Sequence, residues 1–241
     1  MKKKTIGLLD SGIGGLSVLA KLNKNLFNTK FVYFGDSENA PYGNRGVEEL
    51  WSITISNLVY LNQFNLDALV VACNTLSVTL YDRIKDFSSI EVYPTLPPVE
   101  SVSANGERTL LLSTVNTAKK YLGCPNVKVL GLKRLAYEIE MGLTKGYKVD
   151  LSRHLSAINS SNERFSSVIL GCTHYELIKN EIFDHLKPNK IICASDLVLN
   201  NVNKTFKKSN RYIKTNENEV AFIGKHAKKM EKLYEKVVKD A

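Results

Sequence analysis

Short apolar runs rich in β-branched residues alternate along the chain with segments in which apolar residues recur at helical spacing. The runs are typical of buried strands, and the spaced segments are typical of amphipathic helices. We predict strands at 5–9, 31–34, 68–72, 91–93, 110–112, 127–130, 168–170 and 191–193. We predict helices at 14–24, 47–63, 76–85, 134–144 and 175–186. This alternation predicts an α/β protein with mostly parallel sheets.

The C-terminal segment has the pattern of one further amphipathic helix. Asn216 and Glu219 stand three residues apart, as in a capping box at a helix start. Apolar residues then follow at helical spacing, at Met230, Leu233, Tyr234, Val237 and Val238. We therefore predict a lysine-faced helix that docks on the body of the protein.

One stretch of sequence occurs twice in similar form. Residues 70–75, VVACNT, resemble residues 169–174, ILGCTH, and residues 6–11 and 110–114 form a weaker pair upstream of them. We infer two pseudo-symmetric parallel-sheet α/β domains, each of which places a cysteine at the carboxyl end of a strand. Because open α/β sheets bind ligands at those ends, we expect the active site in the cleft between the domains.

Prolines mark the expected domain boundary. Pro94, Pro97 and Pro98 cannot continue a helix or a central strand. We place domain 1 at residues 1–96 and domain 2 at residues 97–204. We expect the C-terminal segment 205–241 to return to domain 1.

The positive net charge of the chain points first to a polyanionic partner. The location of the charged residues along the sequence argues against such a partner. The 241 residues carry 33 basic and 24 acidic side chains, a net charge of +9. Residues 2–4 contribute +3 and residues 201–241 contribute +6, so residues 5–200 are neutral. We therefore expect no nucleic-acid partner and no membrane partner.

The four cysteines indicate a reducing environment. Cys73, Cys124, Cys172 and Cys193 form no CxxC pair and no Cys/His cluster of the zinc type, so we expect no metal. The apolar run that starts at Ile6 stops at Asp10, which is too short for a signal peptide or a membrane span. These features predict a cytoplasmic protein.

Cys73 and Cys172 are the leading candidates for chemistry. Each precedes a predicted helix, whose free N–H groups and dipole stabilise a thiolate and lower the pKa of the thiol. A lone cysteine in this place is more often a packing residue, but the repetition favours a shared chemical role. His174 is placed to act as an acid or base or to tune the Cys172 thiol, or else simply caps its own helix.

Two loops at predicted strand ends are candidates for ligand binding. Asp10 and Ser11 open the turn DSGIGG, whose backbone amides can approach an anion although it matches neither GxGxxG nor a P-loop. Pro41, Tyr42 and Gly43 form a turn signal after the second strand. For both loops the alternative is a purely structural turn.

Together these motifs resemble glutamate racemases, of the cofactor-independent aspartate/glutamate racemase superfamily. The resemblance rests on residues 6–16 (IGLLDSGIGGL), 33–36 (YFGD), 41–43 (PYG), 71–75 (VACNT) and 170–175 (LGCTHY). It implies no cofactor, and it implies Cys73 and Cys172 as the acid and base, supported by Asp10 and His174 respectively. The implied contacts to glutamate are Asp10, Ser11, Pro41, Tyr42, Gly43, Asn74, Thr75, Thr114, Thr117, Thr173 and His174.

Elementary chemistry agrees with two acid/base groups. Racemisation removes the α-proton from one face of an amino acid and returns a proton to the other. By the resemblance, the product D-glutamate serves peptidoglycan synthesis, and the acidic residue that the family has in the stretch 124–140 corresponds to either Glu138 or Glu140. We also expect a homodimer.

Two alternatives to glutamate racemisation stay open. One is a racemase of the same superfamily that acts on aspartate or a related acid, although the DSG and PYG loops look more like the glutamate branch. The other is a non-catalytic basic binding module, which the net charge of +9 would support.

Overall fold

The computed structural model describes residues 3–161, 163–206 and 218–240. Its strands are β1 Lys4–Asp10, β2 Thr29–Gly35, β3 Ala68–Val71, β4 Glu91–Pro94, β5 Thr109–Ser113, β6 Val127–Gly131, β7 Ser167–Gly171, β8 Lys190–Cys193 and β9 Glu219–Ile223. Its helices are α1 Leu16–Asn25, α2 Val47–Leu61, α3 Asn74–Phe87, α4 Val99–Ala104, α5 Val115–Tyr121, α6 Leu135–Lys145, α7 Leu151–His154, α8 Ser156–Asn159, α9 Thr173–Glu176, α10 Lys179–Leu186, α11 Ala194–Phe206 and α12 Ala227–Asp240. The predicted strands are all present.

The strands form two parallel sheets. The first has the order β4-β3-β1-β2-β9, and the second has the order β6-β5-β7-β8. The central strands are buried on both faces, which is why they appear in the sequence as unbroken apolar runs. The predicted α/β class with two parallel-sheet units is confirmed.

Helices cover both faces of each sheet. Helices α1, α11 and α12 pack on one face of the first sheet, and α2 and α3 pack on the other. Helices α6, α9 and α10 cover one face of the second sheet, and α4 and α5 cover the other. Each sheet is therefore the middle layer of its own three-layer unit.

The division of the chain at residues 96 and 97 stays a prediction. The two sheets lie on either side of it, since β4 ends at Pro94 and β5 begins at Thr109. Strand β9 lies beside β2 in the first sheet, so residues 219–223 pair with the N-terminal half of the chain. Pro94 is tolerated in β4 because β4 is an edge strand.

Two predicted helices differ from the structure. The helix expected at 175–186 is interrupted at Leu177 and Ile178, so α9 and α10 are separate. The expected capping box is wrong at Glu219, which begins strand β9 rather than a helix, while Asn216 lies outside the described residues. The C-terminal helix itself is present and starts at Ala227. Within the described ranges, none of the helices combines the length and apolar character needed to cross a membrane.

Candidate active site

The carboxyl ends of the two sheets face each other across one cavity of about 280 Å³. In the first sheet Asp10 pairs in register with Gly35, and in the second Ser113 pairs with Gly171, so the strand ends are level. The lining includes residues that follow β2, β3, β5, β6 and β7. Its volume is just below the ~300–1,000 Å³ of drug-sized ligand sites, which fits a small molecule.

Most of the predicted site residues line this cavity. They are Ser11, Pro41, Tyr42, Gly43, Cys73, Asn74, Thr75, Thr114, Cys172, Thr173 and His174. Asp10 and Thr117 do not line it. Asp10 is fully buried behind the wall, and Thr117 receives a hydrogen bond from the Thr114 hydroxyl at 3.2 Å.

Cys73 and Cys172 occupy equivalent junctions. Cys73 lies between β3 and α3, Cys172 lies between β7 and α9, and both residues have extended backbone at the N-cap position. Both side chains are buried, and both line the cavity. The internal repeat of the sequence therefore corresponds to two thiols at one cavity, one from each sheet.

The protonation of Cys73 differs from the sequence-based expectation. Burial, with a smaller contribution from the Asp10 charge, raises the pKa of the Cys73 thiol to about 12, against the lowering effect of the Leu76 N–H. The thiol lies 3.8 Å from the Ser11 hydroxyl oxygen, towards which it donates. The expected lowering of this pKa by the helix start is wrong, because desolvation outweighs the backbone N–H. A thiol with this pKa keeps its proton near neutral pH.

Cys172 has different neighbours from Cys73, namely His174 and, through it, Glu140. His174 Nε2 lies 3.1 Å from Glu140 Oε2, and the Ser37 hydroxyl donates to Glu140 Oε1 at 3.1 Å. Burial opposes a charged imidazole, but hydrogen bonding with Cys172 and Glu140 raises the pKa of His174 well above its ordinary value. The two cysteines therefore differ in their surroundings, with Cys73 against the Ser11 hydroxyl and Cys172 hydrogen-bonded to His174.

Asp10 connects the two halves from behind the cavity wall. Its Oδ2 accepts a hydrogen bond from the Gly12 N–H at 3.0 Å, and its Oδ1 accepts one from the Thr173 hydroxyl at 3.4 Å. Burial raises the pKa of Asp10, and the His174 charge partly offsets that effect.

Glycines allow close contact between the first-sheet half and the second-sheet half of the molecule. A Cβ on Gly14 would lie 2.4 Å from His174 Nδ1 and 2.7 Å from the His174 backbone nitrogen. A Cβ on Gly43 would lie 2.6 Å from Thr114 Cβ. The loop after β1 and the turn at Tyr42–Asn44 therefore fit against the second half only as glycine-containing segments.

Polar side chains on the cavity wall have fixed orientations. Asn74 Nδ2 donates to the Thr95 carbonyl at 2.7 Å, which leaves its buried Oδ1 without a partner within the described chain. The hydroxyl oxygens of Thr75 and Thr114 are 3.0 Å apart. Tyr42 donates to buried Asp36 Oδ2 at 2.6 Å, which fixes the ring against the wall.

The structure distinguishes the two acidic candidates of α6. Glu140 lines the cavity and bonds His174, whereas Glu138 bonds His154 Nε2 at 2.7 Å away from it. Helix α6 turns one whole face to the cavity, at residues 136, 137, 140, 141, 144 and 145. That helical spacing is the signal in the sequence that separates 140 from 138.

Sequence reasoning missed two lining residues from the C-terminal segment, His226 and Lys229. Neither lies in a motif, and their presence depends on the return of β9 to the first sheet. Among the described residues, no group of three or more His, Cys, Asp or Glu side chains is arranged to hold a metal ion.

Comparison with known proteins gives one consistent result. A glutamate racemase of Clostridium novyi is 35% identical over 209 residues, which cover 81% of this chain and 80% of the relative. A glutamate racemase of Clostridium botulinum is 34% identical over 233 residues, covering 91% of this chain and 90% of the relative. The crystal structure of a glutamate racemase isoform of Bacillus anthracis superimposes with a TM-score of 0.79 at 26% identity, covering 100% of this chain and 94% of that one. No family model matches the chain.

Proposed function

The chain belongs to the glutamate racemase family, whose members are cofactor-independent isomerases, and on that premise we propose that it interconverts L- and D-glutamate with Cys73 and Cys172 as the two acid/base groups. The observation that carries this proposal is the pair of buried thiols at one cavity, one at the carboxyl end of each sheet. Family membership favours this reading over a non-catalytic basic module and over an aspartate racemase.

The reaction needs one base and one acid on opposite faces of Cα. From L-glutamate, Cys172 as thiolate takes the α-proton, and the electron pair of the broken C–H bond is delocalised into the α-carboxylate. Cys73 as thiol then gives its proton to the other face of Cα, and a carbon–hydrogen bond forms there. The product is D-glutamate, and the two sulfurs have exchanged protonation states. The reverse reaction starts from that exchanged form.

Each sulfur has its own partner for this task. The charged His174, held by Glu140, stabilises the Cys172 thiolate before the proton moves. Asp10 is assigned to the Cys73 side, where burial and, to a smaller extent, the Asp10 charge raise the pKa of the thiol and so keep the proton on sulfur until it is transferred to the carbanion.

The cavity wall is proposed to bind glutamate through fixed polar groups. The unpartnered Asn74 Oδ1 is an acceptor suited to the substrate ammonium. Hydroxyls of Ser11, Thr75, Thr114 and Thr173 are donors for the carboxylates, and such donors stabilise the charge that develops on the α-carboxylate. Pro41, Tyr42 and Gly43 shape the wall beside them, and Thr117 acts through Thr114.

A racemisation assay tests the reaction. Purified protein incubated with L-glutamate in D2O, with no added cofactor, should lose the circular dichroism of the amino acid and place deuterium at Cα. L-aspartate should react far more slowly, and a metal chelator should change neither rate. Absence of both decay and exchange with either enantiomer of glutamate would refute the function.

Two single substitutions test the roles of the sulfurs. Cys73→Ala and Cys172→Ala should each abolish racemisation while the far-UV spectrum and the unfolding midpoint stay close to the parent. Cys124→Ala is the matched control, since Cys124 is a thiol away from the cavity, and it should retain full activity. Racemisation at the parent rate in either of the first two variants would rule out the two-cysteine scheme.

We propose D-glutamate supply for peptidoglycan as the biological role. Expression of the chain in a bacterium that requires added D-glutamate should restore growth without it, and the Cys73→Ala variant should not. Growth with both would mean that the rescue does not depend on the proposed chemistry.

A further inference from the structure

Helix α12 brings a cationic side chain to the cavity from the last part of the fold. Most lysines of this helix are exposed, among them Lys228 and Lys232, but Lys229 is half-buried and lines the cavity. Its neighbour Met230 is buried against the position of Gly35. Tyr234, one turn further on, accepts a hydrogen bond from Asn23 at 2.9 Å. The first turn of α12 is therefore held in place, and Lys229 with it.

Lys229 lines the same cavity as the Glu140 carboxylate. Among the described residues that line the cavity, Glu140 is the one acid, and Asp10 lies buried behind the wall near enough for the Glu140 charge to raise its pKa. His174 is the cation in direct contact with Glu140. The His174 charge acts on both carboxylates, and Lys229 is a second basic side chain at the same cavity.

The charge of Lys229 acts on Glu140. Burial opposes ionisation of Glu140, but its hydrogen bonds with His174 and Ser37 and the positive charge of Lys229 together lower its pKa.

Other titratable groups also surround Glu140. Burial raises the pKa of Tyr33, from β2, and the Glu140 charge contributes to the same effect; the Tyr33 hydroxyl donates to the Gly12 carbonyl at 2.7 Å. The remaining basic residues at the cavity are His226, Lys133 and Lys145, of which the two lysines are exposed.

We propose that Lys229 is a positioning residue, which keeps Glu140 ionised so that Glu140 holds a charged His174 beside Cys172. This inference rests on the proposed function, because it assigns a task within the Cys172 half of that reaction. It makes the C-terminal helix part of the acid/base machinery of the second sheet, although the helix packs on the first.

The direct test measures the titration of the Glu140 carboxyl in protein that has no substrate bound. In protein labelled with 13C at the glutamate side-chain carboxyl, the Glu140 signal is assigned from its loss in Glu140→Gln, and its titration is compared between the parent and Lys229→Met. We expect the midpoint to rise by about half a pH unit or more in Lys229→Met, because an attractive charge is lost. Lys229→Arg should restore it. Lys228→Met is the matched control, since it removes the same charge from an exposed site on the same helix, and should leave the midpoint in place.

Racemisation kinetics give the second readout. The acid limb of kcat/KM should move to higher pH in Lys229→Met by the same amount as the Glu140 midpoint, while KM on the alkaline plateau stays within about twofold of the parent. An unmoved Glu140 midpoint in Lys229→Met would overturn the proposal. A KM that rises at every pH with an unmoved midpoint would make Lys229 a substrate-binding residue instead, which also overturns it. If the parent itself fails to racemise glutamate, the proposed function fails while the carboxyl titration still decides whether Lys229 acts on Glu140.

Discussion

At the scale of single residues, burial and partners set the chemistry of the two thiols differently. The pattern of the sequence predicts that Cys73 and Cys172 belong together, because both follow a strand and open a helix. It does not predict that desolvation raises the pKa of Cys73, because Asp10 and the surrounding wall come from distant parts of the chain. Helical spacing puts Glu140 and Glu138 on different faces of α6, but the sequence alone does not show which face meets His174.

The first prediction concerns the cost of burying Asp10. The pKa of Asp10 is raised in the folded protein, so wild-type stability falls as pH rises from the unfolded pKa through the folded one. An asparagine side chain would fit the same place, with its oxygen accepting from the Gly12 N–H and its amide facing the Thr173 hydroxyl. Asp10→Asn should therefore be more stable than wild type at pH 8 by about 0.5–2 kcal/mol, with much reduced racemisation.

Urea unfolding at several pH values measures this effect. The stability difference between Asp10→Asn and wild type should shrink as pH falls towards 4, where the wild-type carboxyl becomes protonated. A difference that is constant from pH 4 to pH 8 would mean that ionisation of Asp10 is not its source.

The second prediction concerns the buried hydrogen bond of Tyr42. Its hydroxyl donates to Asp36 Oδ2, which also receives Nδ2 of Asn39 and Asn57. Tyr42→Phe should lower the free energy of unfolding by about 1–2 kcal/mol, because a buried carboxylate loses one of its donors. Tyr60→Phe on α2 removes the same atom from a half-buried ring and should change stability by less than about 0.5 kcal/mol. Equal losses in the two variants, measured by urea unfolding, would contradict this account.

At the scale of elements, loops and helix starts carry the site, and the sequence predicts them unevenly. Loops that end a buried strand are visible because the apolar run stops abruptly, as at Asp10 and Cys73. Helices α5 and α11 were not predicted, since each follows its strand after at most one residue. Helix α5 is only seven residues long, whereas α11 does bury Val198, Val202 and Phe206 at helical spacing. The break between α9 and α10 was also missed, because Leu177 and Ile178 continue the apolar spacing of a helix.

The third prediction concerns the contact between the glycine-rich loop and α9. Gly14→Ala would place a Cβ 2.7 Å from the His174 backbone nitrogen, and a backbone atom cannot move aside as a flexible side chain can. We expect racemisation to fall by about 100-fold or more, because His174 and Cys172 are displaced relative to Asp10 and Cys73. Gly46→Ala is the control, since nothing lies within 4 Å of its Cβ and its φ of −65° is ordinary.

Kinetics and thermal unfolding together test the loop contact. Gly46→Ala should keep full activity and change stability by less than about 1 kcal/mol, because the lower entropy of the unfolded chain is offset by the weaker N-cap preference of alanine at the start of α2. If Gly14→Ala retains more than about one tenth of the parent activity, the close approach of the halves at this point is not needed for the reaction.

At the scale of the whole molecule, the two-sheet architecture is predictable and its completion is not. Eight strands follow from apolar runs, and the internal repeat indicates two similar units. Strand β9 was missed because its residues are only half-buried, as expected of an edge strand, and because Glu219 resembles a helix cap. The missed strand explains the missed lining residues, since His226 and Lys229 follow it directly.

The fourth prediction concerns the contribution of this last segment to stability. A chain that ends at residue 217 lacks β9 and α12, and with them the buried side chains of Met230, Leu233 and Tyr234. At about 1.5–3 kcal/mol for each buried apolar side chain, it should lose about 5 kcal/mol or more. The midpoint of thermal unfolding should fall by about 10 °C or more, and racemisation should be lost. A chain that ends at residue 238 should behave like the parent, and equal stability and activity of the two shortened chains would refute the prediction.

The position of β9 also determines when the protein can fold during its synthesis. The second sheet is complete once residue 193 has emerged, because its four strands are consecutive in the chain. The first sheet has its central strands early, but β2 keeps an open edge until residues 219–223 arrive. At about 5–20 residues per second, that edge is exposed on the ribosome for roughly 10 to 40 seconds. An unpaired strand edge invites pairing with other chains, so the nascent chain is most vulnerable to aggregation in that interval, and the half that is made first is the half that is finished last.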